Sequence, residues 1–159
     1  MFRTLSPFLL ACCVLNPLRA EAPPEEFKLS PDEQAVVDAT NIERKKADLP
    51  PVAPNPQLFA AARGHAANMA KQDMLEHTLD DKTPGDRVKA AGYRFAMTGE
   101  NIAKNTRTPQ KTLDAWMDSE GHKKNILTKE YTEIGVAVAK NDKGEPYWVQ
   151  VFGKPLSRK

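Results

Sequence analysis

Four pairs of a capping residue followed by proline divide most of this chain into predicted helices. The pairs are Ser30-Pro31, Asn55-Pro56, Thr83-Pro84 and Thr108-Pro109. A Ser, Thr or Asn side chain satisfies free N–H groups of the first turn, and proline at the first helical position loses no hydrogen bond. Each pair therefore predicts a helix start. In the first helix, Glu33 stands where a capping box places its acid.

Apolar residues recur at helical spacing after these starts, and breakers follow them. Pro50-Pro51 lies beyond the first helix and Gly92 ends the third. In the fourth helix, Trp116 faces inward with Leu113 and Met117. Gly121 is predicted to end that helix as its C-cap.

The last part of the chain changes from helical to strand periodicity. TEIGVAVAK and YWVQVFG both alternate, and KNDKGEP between them contains strong turn formers, so an antiparallel hairpin is predicted. Tyr147 and Trp148 point to opposite faces, so one faces the core and the other is covered by a helix. FAMTGENIA is a further strand or extended turn. Helices first and strands last predict an α+β layered domain.

The first 20 residues are interpreted as a cleaved signal peptide. Arg3 provides the positive end, residues 8–15 provide a short apolar run, and Leu18-Arg19-Ala20 fits a cleavage site. Cleavage at Ala22 is disfavoured because proline follows it. The alternative is a lipoprotein anchored at Cys12. We expect residues 21–29 to be a flexible leader and residues 30–157 to be a single domain, without a transmembrane segment.

The positions of the cysteines and the balance of charge argue against a disulfide-stabilised protein and against a nucleic-acid binder. Cys12 and Cys13 are the only cysteines, so cleavage would leave a chain with no disulfide that is stabilised by packing alone. The net charge is +2, and cleavage would also remove Arg3 and Arg19, which leaves basic and acidic residues balanced. A nucleic-acid binder would concentrate basic residues on one face, so no nucleic-acid partner is expected.

Each histidine has a plain structural explanation. His65 lies in the apolar stripe of the second helix and is interpreted as a hydrogen-bonded core residue. His77, in LEHTLDD, suits a solvated loop. His122 lies near a helix C-terminus, which stabilises an imidazolium. Glu100, in GENIA, could satisfy backbone donors in a turn. Arg87 is either a surface charge or a support for the His77 loop.

Two imidazoles and a carboxylate are nonetheless the usual ligands of an open Zn²⁺ site, because they leave one position for water or a ligand. His77, Glu100 and His122 could form such a set. They lie far apart in the sequence, so their spacing does not establish that they converge.

The motifs taken together resemble the CAP superfamily of cysteine-rich secretory proteins, antigen 5 and pathogenesis-related 1 proteins. The resemblance runs from about Asp32 to Gly153. Its segments are NIERKKADLPPV, LFAAARGHAANMAKQDMLEHT, GDRVKAAGY, TGENIA, AWMDSEGHKKNIL, EIGVAVA and YWVQVFG. It implies a three-layer α-β-α sandwich with a central antiparallel sheet and an open cleft. The missing disulfides are typical of a bacterial branch.

The same resemblance implies a cleft site of two histidines and two acids that can hold Zn²⁺ or another divalent cation. By motif, His77, Glu100 and His122 occupy three of its positions. The position of the second acid falls on Ser119, so Asp118 and Glu120 are the candidates for the fourth. The loss of one anionic ligand would weaken metal binding.

The favoured function is a secreted or periplasmic binding module, expected to be a monomer, whose cleft holds a small molecule, lipid or peptide. One alternative is a metal-assisted extracellular hydrolase in which Glu100 acts as the base. Another is an envelope interaction protein with a vestigial cleft. H-E-x-x-H and G-x-S-x-G are missing, so no standard catalytic signature supports an enzyme. A Ser119–His122 nucleophile pair lacks an orienting group.

Overall fold

The structure, a computed structural model, describes residues 27–157. The predicted signal peptide, residues 1–20 with Cys12, lies outside the described residues, as do residues 21–26 and 158–159. None of the helices within residues 27–157 is long and apolar enough to cross a membrane.

The described chain contains five helices and four strands. The helices are α1 (Pro31–Lys46), α2 (Pro56–Gln72), α3 (Pro84–Ala90), α4 (Pro109–Met117) and α5 (Glu120–Ile126); the strands are β1 (Ala53–Pro54), β2 (Phe95–Lys104), β3 (Glu133–Lys140) and β4 (Pro146–Pro155). All four predicted helix starts are confirmed, and each predicted cap accepts a hydrogen bond from a first-turn N–H. Capping boxes begin both α1 and α3.

The sheet has the order β1-β3-β4-β2, with the predicted β3–β4 hairpin in its middle. FAMTGENIA forms most of β2, which pairs antiparallel with β4. One short strand makes this otherwise antiparallel sheet mixed. β1 is a two-residue strand that runs parallel to β3, because it follows α1 and enters the sheet at its far edge. β2 forms the opposite edge.

Helices cover both faces of the sheet, as an α-β-α sandwich requires. On one face, α2 and α3 pack over a core that includes Tyr147, while α1, α4 and α5 pack over a second core that includes Trp148. The two aromatic side chains lie in different cores, which confirms that they face opposite sides of the sheet. α2 lies against β3 so closely that a Cβ on Gly135 would come within 2.1 Å of the Leu58 carbonyl carbon.

The prediction that Gly121 ends the fourth helix is wrong. α4 ends at Met117, and Ser119 takes an extended conformation (φ −100°, ψ 121°) that starts the separate helix α5. Gly121 lies inside α5 and does not have the positive φ that is typical of a C-cap glycine. The break falls two residues earlier because the chain turns at Asp118 and Ser119 to lay α5 beside β2.

A buried arginine fixes the far end of α5. The Arg44 guanidinium is fully buried and donates four hydrogen bonds, all to backbone carbonyls. Nη1 reaches Ile126 and Thr128 at 2.9 Å, and Nη2 reaches Tyr131 at 3.1 Å. A cation beside the C-terminal carbonyls of a helix is favoured by the helix dipole. Arg44 therefore ties α1 to α5.

Candidate functional site

The loop between α2 and α3 presents His77. A tight turn follows the histidine, in which Leu79 pairs with Lys82 and the two residues between them, Asp80 and Asp81, both have positive φ. Asp tolerates this conformation better than most residues. The His77 carbonyl accepts a 2.9 Å hydrogen bond from Arg87 Nη2, so α3 also holds the loop.

The structure brings His77 and Glu100 together. His77 Nδ1 lies 2.9 Å from Glu100 Oε1, and Arg87 Nη2 donates to both Glu100 oxygens at 3.0 and 2.7 Å. The Glu100 side chain is 2% exposed, whereas the His77 side chain is 50% exposed. A carboxylate that accepts from Arg87 acts as the acceptor for His77 Nδ1–H as well. Glu100 lies on β2, not in the turn that was the other interpretation.

His65 lies on the buried side of the same carboxylate. Its ring is 1% exposed, in agreement with its interpretation as a core residue. Nε2 is 2.9 Å from the Glu76 carbonyl oxygen and 3.8 Å from Glu100 Oε1. Burial lowers the pKa of His65, although Glu100 partly opposes this effect. The ring is therefore neutral near pH 7.

His122 approaches from the other face of the edge strand β2. Its carbonyl accepts a 3.1 Å hydrogen bond from Asn101 Nδ2, and Asn125 Nδ2 donates to Asn101 Oδ1 at 2.8 Å. Burial lowers the pKa of the half-buried His122, and His77 makes a smaller contribution in the same direction. The backbone of His122 is thus held beside Asn101, the residue that follows Glu100 on β2.

Buried side-chain amides anchor the backbone of His122 to the core. Asn101 Nδ2 also donates to Gln150 Oε1 at 2.9 Å, and Gln150 Nε2 donates to Thr40 Oγ1 at 2.8 Å. All three residues are fully buried. The network joins α5, β2, β4 and α1, so the backbone of His122 is anchored to the core.

Two residues at the junction of α4 and α5 are the candidates for a fourth site residue. Asp118 and Glu120 are exposed, and within residues 27–157 neither forms a side-chain hydrogen bond or ion pair with His77, Glu100 or His122. No three His, Cys, Asp or Glu side chains in the described chain are arranged as a metal-binding group. Metal binding by these residues stays a prediction.

The chemistry that the cluster can perform is set by the orientation of His77. With Nδ1–H donated to Glu100, the other ring nitrogen, Nε2, carries the lone pair. Because half of the His77 side chain is exposed and its ring is held by a carboxylate, Nε2 can bind a cation or accept a hydrogen bond or proton. Glu100 has both oxygens engaged, so in this arrangement it orients His77.

The family to which the chain belongs is shown by a sequence comparison. Residues 37–152 match the model of the CAP family, described as the cysteine-rich secretory protein family. The chain is a CAP-family protein. This match extends over nearly the whole described domain and includes His77, Glu100 and His122.

Bacterial relatives of this CAP protein support the same assignment. It is 37% identical over 121 residues to the uncharacterized protein YkwD of Bacillus subtilis, with 76% of this chain and 46% of YkwD covered. It is 31% identical over 125 residues to the uncharacterized membrane protein YlbC of the same organism, with 77% and 34% covered. The CAP protein thus spans less than half the length of either relative.

Solved structures confirm the fold. An outer surface protein of Borrelia burgdorferi matches with a TM-score of 0.73 at 24% identity, over 77% of this chain and 92% of that one. An extracellular Bacillus anthracis protein containing an SCP domain matches with a TM-score of 0.71 at 30% identity, over 81% and 45%. The CAP protein therefore shares its fold with both of these proteins.

Sequence reasoning leaves Arg87 open between a surface charge and a support for the His77 loop, and its hydrogen bond to the His77 carbonyl confirms the second. The buried amide network is missed altogether. The position of Arg87 against Glu100 depends on how α3 docks, and no sequence signal distinguished it from a surface charge. The amide network did leave a signal, because Gln150 interrupts the inward-facing side of the strand between Trp148 and Phe152. A polar residue on a buried face requires a buried partner.

Proposed function

We propose that this CAP-family protein is an extracytoplasmic binding module whose ligand-contacting groups are the imidazoles of His77 and His122. The ligand is a small molecule, lipid or peptide, and a divalent cation such as Zn²⁺ can take part in binding it. Extracytoplasmic location is supported by the resemblance to extracellular and outer-surface proteins and by the signal-like first 20 residues.

One observation carries the proposal: a buried carboxylate holds an exposed imidazole. Glu100 is 2% exposed and pairs with Arg87 at 2.7 Å, while His77 is 50% exposed and bonded to Glu100 at 2.9 Å. The pairing orients the ring and leaves the lone pair on Nε2. Metal-binding histidines commonly donate their other ring N–H to a carboxylate in this way.

The donor set fits a borderline cation such as Zn²⁺ through nitrogen. His77 and His122 would supply two imidazoles, and the lowered pKa of His122 keeps its ring neutral, and so able to bind, at neutral pH. Glu100 would orient His77, because Arg87 already occupies both carboxylate oxygens. When bound, the cation would supply an electrophilic centre for an oxygen or nitrogen of the ligand.

Calorimetry with Zn²⁺ near pH 7 tests the proposal. We expect binding in the parent protein, at least tenfold weaker binding in His77→Ala or His122→Ala, and none in the double variant. Asp81→Asn is the matched control, because it removes a carboxylate from the same loop and asparagine tolerates the positive φ there. Unchanged affinity in the double variant would rule the proposed site out.

A second candidate, extracellular hydrolysis, is favoured by the same His77–Glu100 pair. An imidazole oriented by a buried carboxylate can act as a general base, and Nε2 is the His77 ring nitrogen that is not bonded to Glu100. This assigns the base to His77 and not to Glu100. Turnover in a screen of ester, peptide and glycan substrates should disappear in His77→Ala. A screen without turnover leaves the binding module as the function.

A further inference from the structure

We infer that the ligand of the His77 site is a peptide, which lies in extended form along the outer edge of β2 and adds a short strand to the sheet. This inference rests on the proposed function, because it names the class of ligand that His77 contacts. One side of the β2 backbone pairs with β4, and the other side pairs with no strand of residues 27–157. An exposed strand edge can bind an extended peptide through backbone hydrogen bonds.

The outer side of β2 is covered in its second half. The carbonyls of Glu100 and Ile102 accept hydrogen bonds from Asn125 Nδ2 at 3.2 Å and from Trp116 Nε1 at 3.1 Å. These two residues therefore turn their backbone groups away from β4. Because outward residues alternate along an antiparallel strand, Thr98 turns its N–H and C=O outward as well.

Thr98 is the residue whose outward backbone groups are open. It lies opposite Gly153 of β4, whose carbonyl turns the other way and accepts from the Thr132 N–H at 3.0 Å. Thr98 and Gly153 thus form a non-hydrogen-bonded pair, in which the backbone groups of the two residues face away from each other. No residue between 27 and 157 bonds to the outward N–H and C=O of Thr98. Both groups are available to an added strand.

This part of the edge lacks the side chains that usually protect an exposed strand. Natural sheets protect their edges with charged residues or proline, and FAMTG, residues 95–99, contains neither. A bulge shifts the pairing between Phe95 and Met97, so the regular edge begins at Met97. The Met97 side chain is 38% exposed. A flexible methionine beside open backbone groups can contact a peptide side chain.

The loop that carries His77 supplies a second apolar contact. Both of its ends are fixed on β2, because Asp73 Oδ1 accepts from Lys104 Nζ at 2.6 Å and His77 is bonded to the Glu100 carboxylate. The loop therefore runs beside β2. Between the two anchors, Met74 and Leu75 are 44% and 41% exposed. With the methionine of the edge, these are three of the five large apolar side chains that residues 27–157 expose.

Separate apolar contacts fit a peptide better than a lipid. The half-exposed His77 lies between the two contacts, so an acyl chain would have to cross a polar group. An extended peptide instead places side chains on one face at intervals of about 7 Å. Arg94 and Lys154 are exposed and form no ion pair within the described residues, and Lys154 lies opposite Met97. The peptide should therefore carry acidic residues at the Met97 end.

Titration with a designed peptide, followed by ¹⁵N–¹H NMR of the protein, tests this inference. The probe is acetyl-Glu-Glu-Val-Thr-Val-Thr-Val-Leu-Leu-amide, used also with its residues in reverse order because the direction of the added strand is open. We expect one order to give saturable shifts of the Met97–Gly99 amides at millimolar peptide, and about fivefold weaker binding when lysines replace the glutamates. N-methylation of every second residue should abolish binding in one phase only, since alternate N–H groups of an added strand face β2.

Variants of the protein test the same contacts. Thr98→Pro should weaken peptide binding by about tenfold or more, because it removes an outward N–H that β4 does not use. Thr98→Val keeps this N–H and should bind within about twofold of the parent. The double variant Met74→Ser/Leu75→Ser changes exposed side chains only and should weaken binding by about threefold or more. Glu76→Gln, in the same loop, is its control and should have no such effect.

Several results would overturn the inference: equal effects of the two N-methylated peptides, equal affinity of Thr98→Pro and Thr98→Val, or no saturable shift. Concentration-dependent shifts at Met97–Gly99 without peptide would assign the edge to a second copy of the chain, with the same consequence. Calorimetry with Zn²⁺ separates this failure from that of the proposed function. Zn²⁺ binding that requires His77 and His122, without peptide binding, would overturn the peptide alone. Peptide affinity unchanged in His77→Ala would overturn the assignment of the peptide to this site.

Discussion

His77 Nδ1 and Glu100 Oε1 lie 2.9 Å apart although 23 residues separate them in the sequence. The pair joins a solvent-facing loop to the edge strand of the sheet. Because the carboxylate is buried in the core and the imidazole is exposed, the hydrogen bond between them fixes the orientation of a surface side chain. A site on a surface loop gains its orientation in this way.

The ion pair between Arg87 and Glu100 should be essential to the stability of this arrangement. Arg87→Met leaves a carboxylate with a 2% exposed side chain without its guanidinium, and should cost about 3 kcal/mol of unfolding free energy. The double variant Arg87→Met/Glu100→Gln removes the stranded charge and should recover part of this loss. Urea unfolding of the parent, both single variants and the double variant gives the coupling energy. Additive effects would show that the pair is not coupled.

Arg44 should stabilise the fold through geometry as well as charge. Arg44→Lys retains the charge, but a lysine cannot reach the carbonyls of Ile126, Thr128 and Tyr131 together. Unpaired buried carbonyls should lower the free energy of unfolding by about 3 kcal/mol. The exposed neighbour Lys45 is the control, and Lys45→Met should change it by less than about 0.5 kcal/mol. Similar values for both variants would contradict the proposed clamp.

The two glycines Gly121 and Gly135 should respond to alanine in opposite directions. Gly121 lies inside α5 with open space around it, so Gly121→Ala should stabilise by about 0.5–1 kcal/mol. Gly135→Ala should destabilise by about 3 kcal/mol, because its Cβ would overlap the Leu58 backbone. Thermal unfolding of both variants provides the measurement. A destabilised Gly121→Ala would instead restore the C-cap interpretation.

The sequence predicts those parts of the fold that are determined by residues close together in the chain. Caps and turns act within a few residues, so the starts of α1 to α4 and the β3–β4 hairpin were predictable. The prediction that Gly121 is a helix C-cap was wrong because a glycine is also tolerated inside a helix. The extended Ser119 that separates α4 from α5 depends on the docking of α5 against β2. β1 was missed because two residues carry no periodicity.

The candidate site, too, was predictable from the sequence only in part. His77, Glu100 and His122 were identified through a family resemblance, because nothing in their spacing indicates that they approach one another. The pairing of His77 with Glu100 through Nδ1 and the support by Arg87 are tertiary contacts between separate elements. A charged residue on a short helix can face either solvent or the sheet, and only the docking of α3 decides between them.

Acid should destabilise the protein through His65. Burial lowers its pKa in the folded state, whereas the unfolded side chain titrates near the reference value of about 6.5. As pH falls below about 6.5, the unfolded state takes up a proton that the folded state does not. The free energy of unfolding should therefore decrease, by at most about 1.4 kcal/mol per pH unit for one proton, until pH passes below the lowered pKa.

His65→Gln separates this effect from that of other groups. A glutamine amide can still donate to the Glu76 carbonyl, but it does not titrate. Between about pH 5 and 7, above the reference values of the carboxylates, the variant should lose stability more gradually with acid than the parent. His122, whose pKa is also lowered by burial, contributes with the same sign, so His122→Gln should remove a further part of the slope. An unchanged slope in His65→Gln would show that His65 is protonated equally in both states.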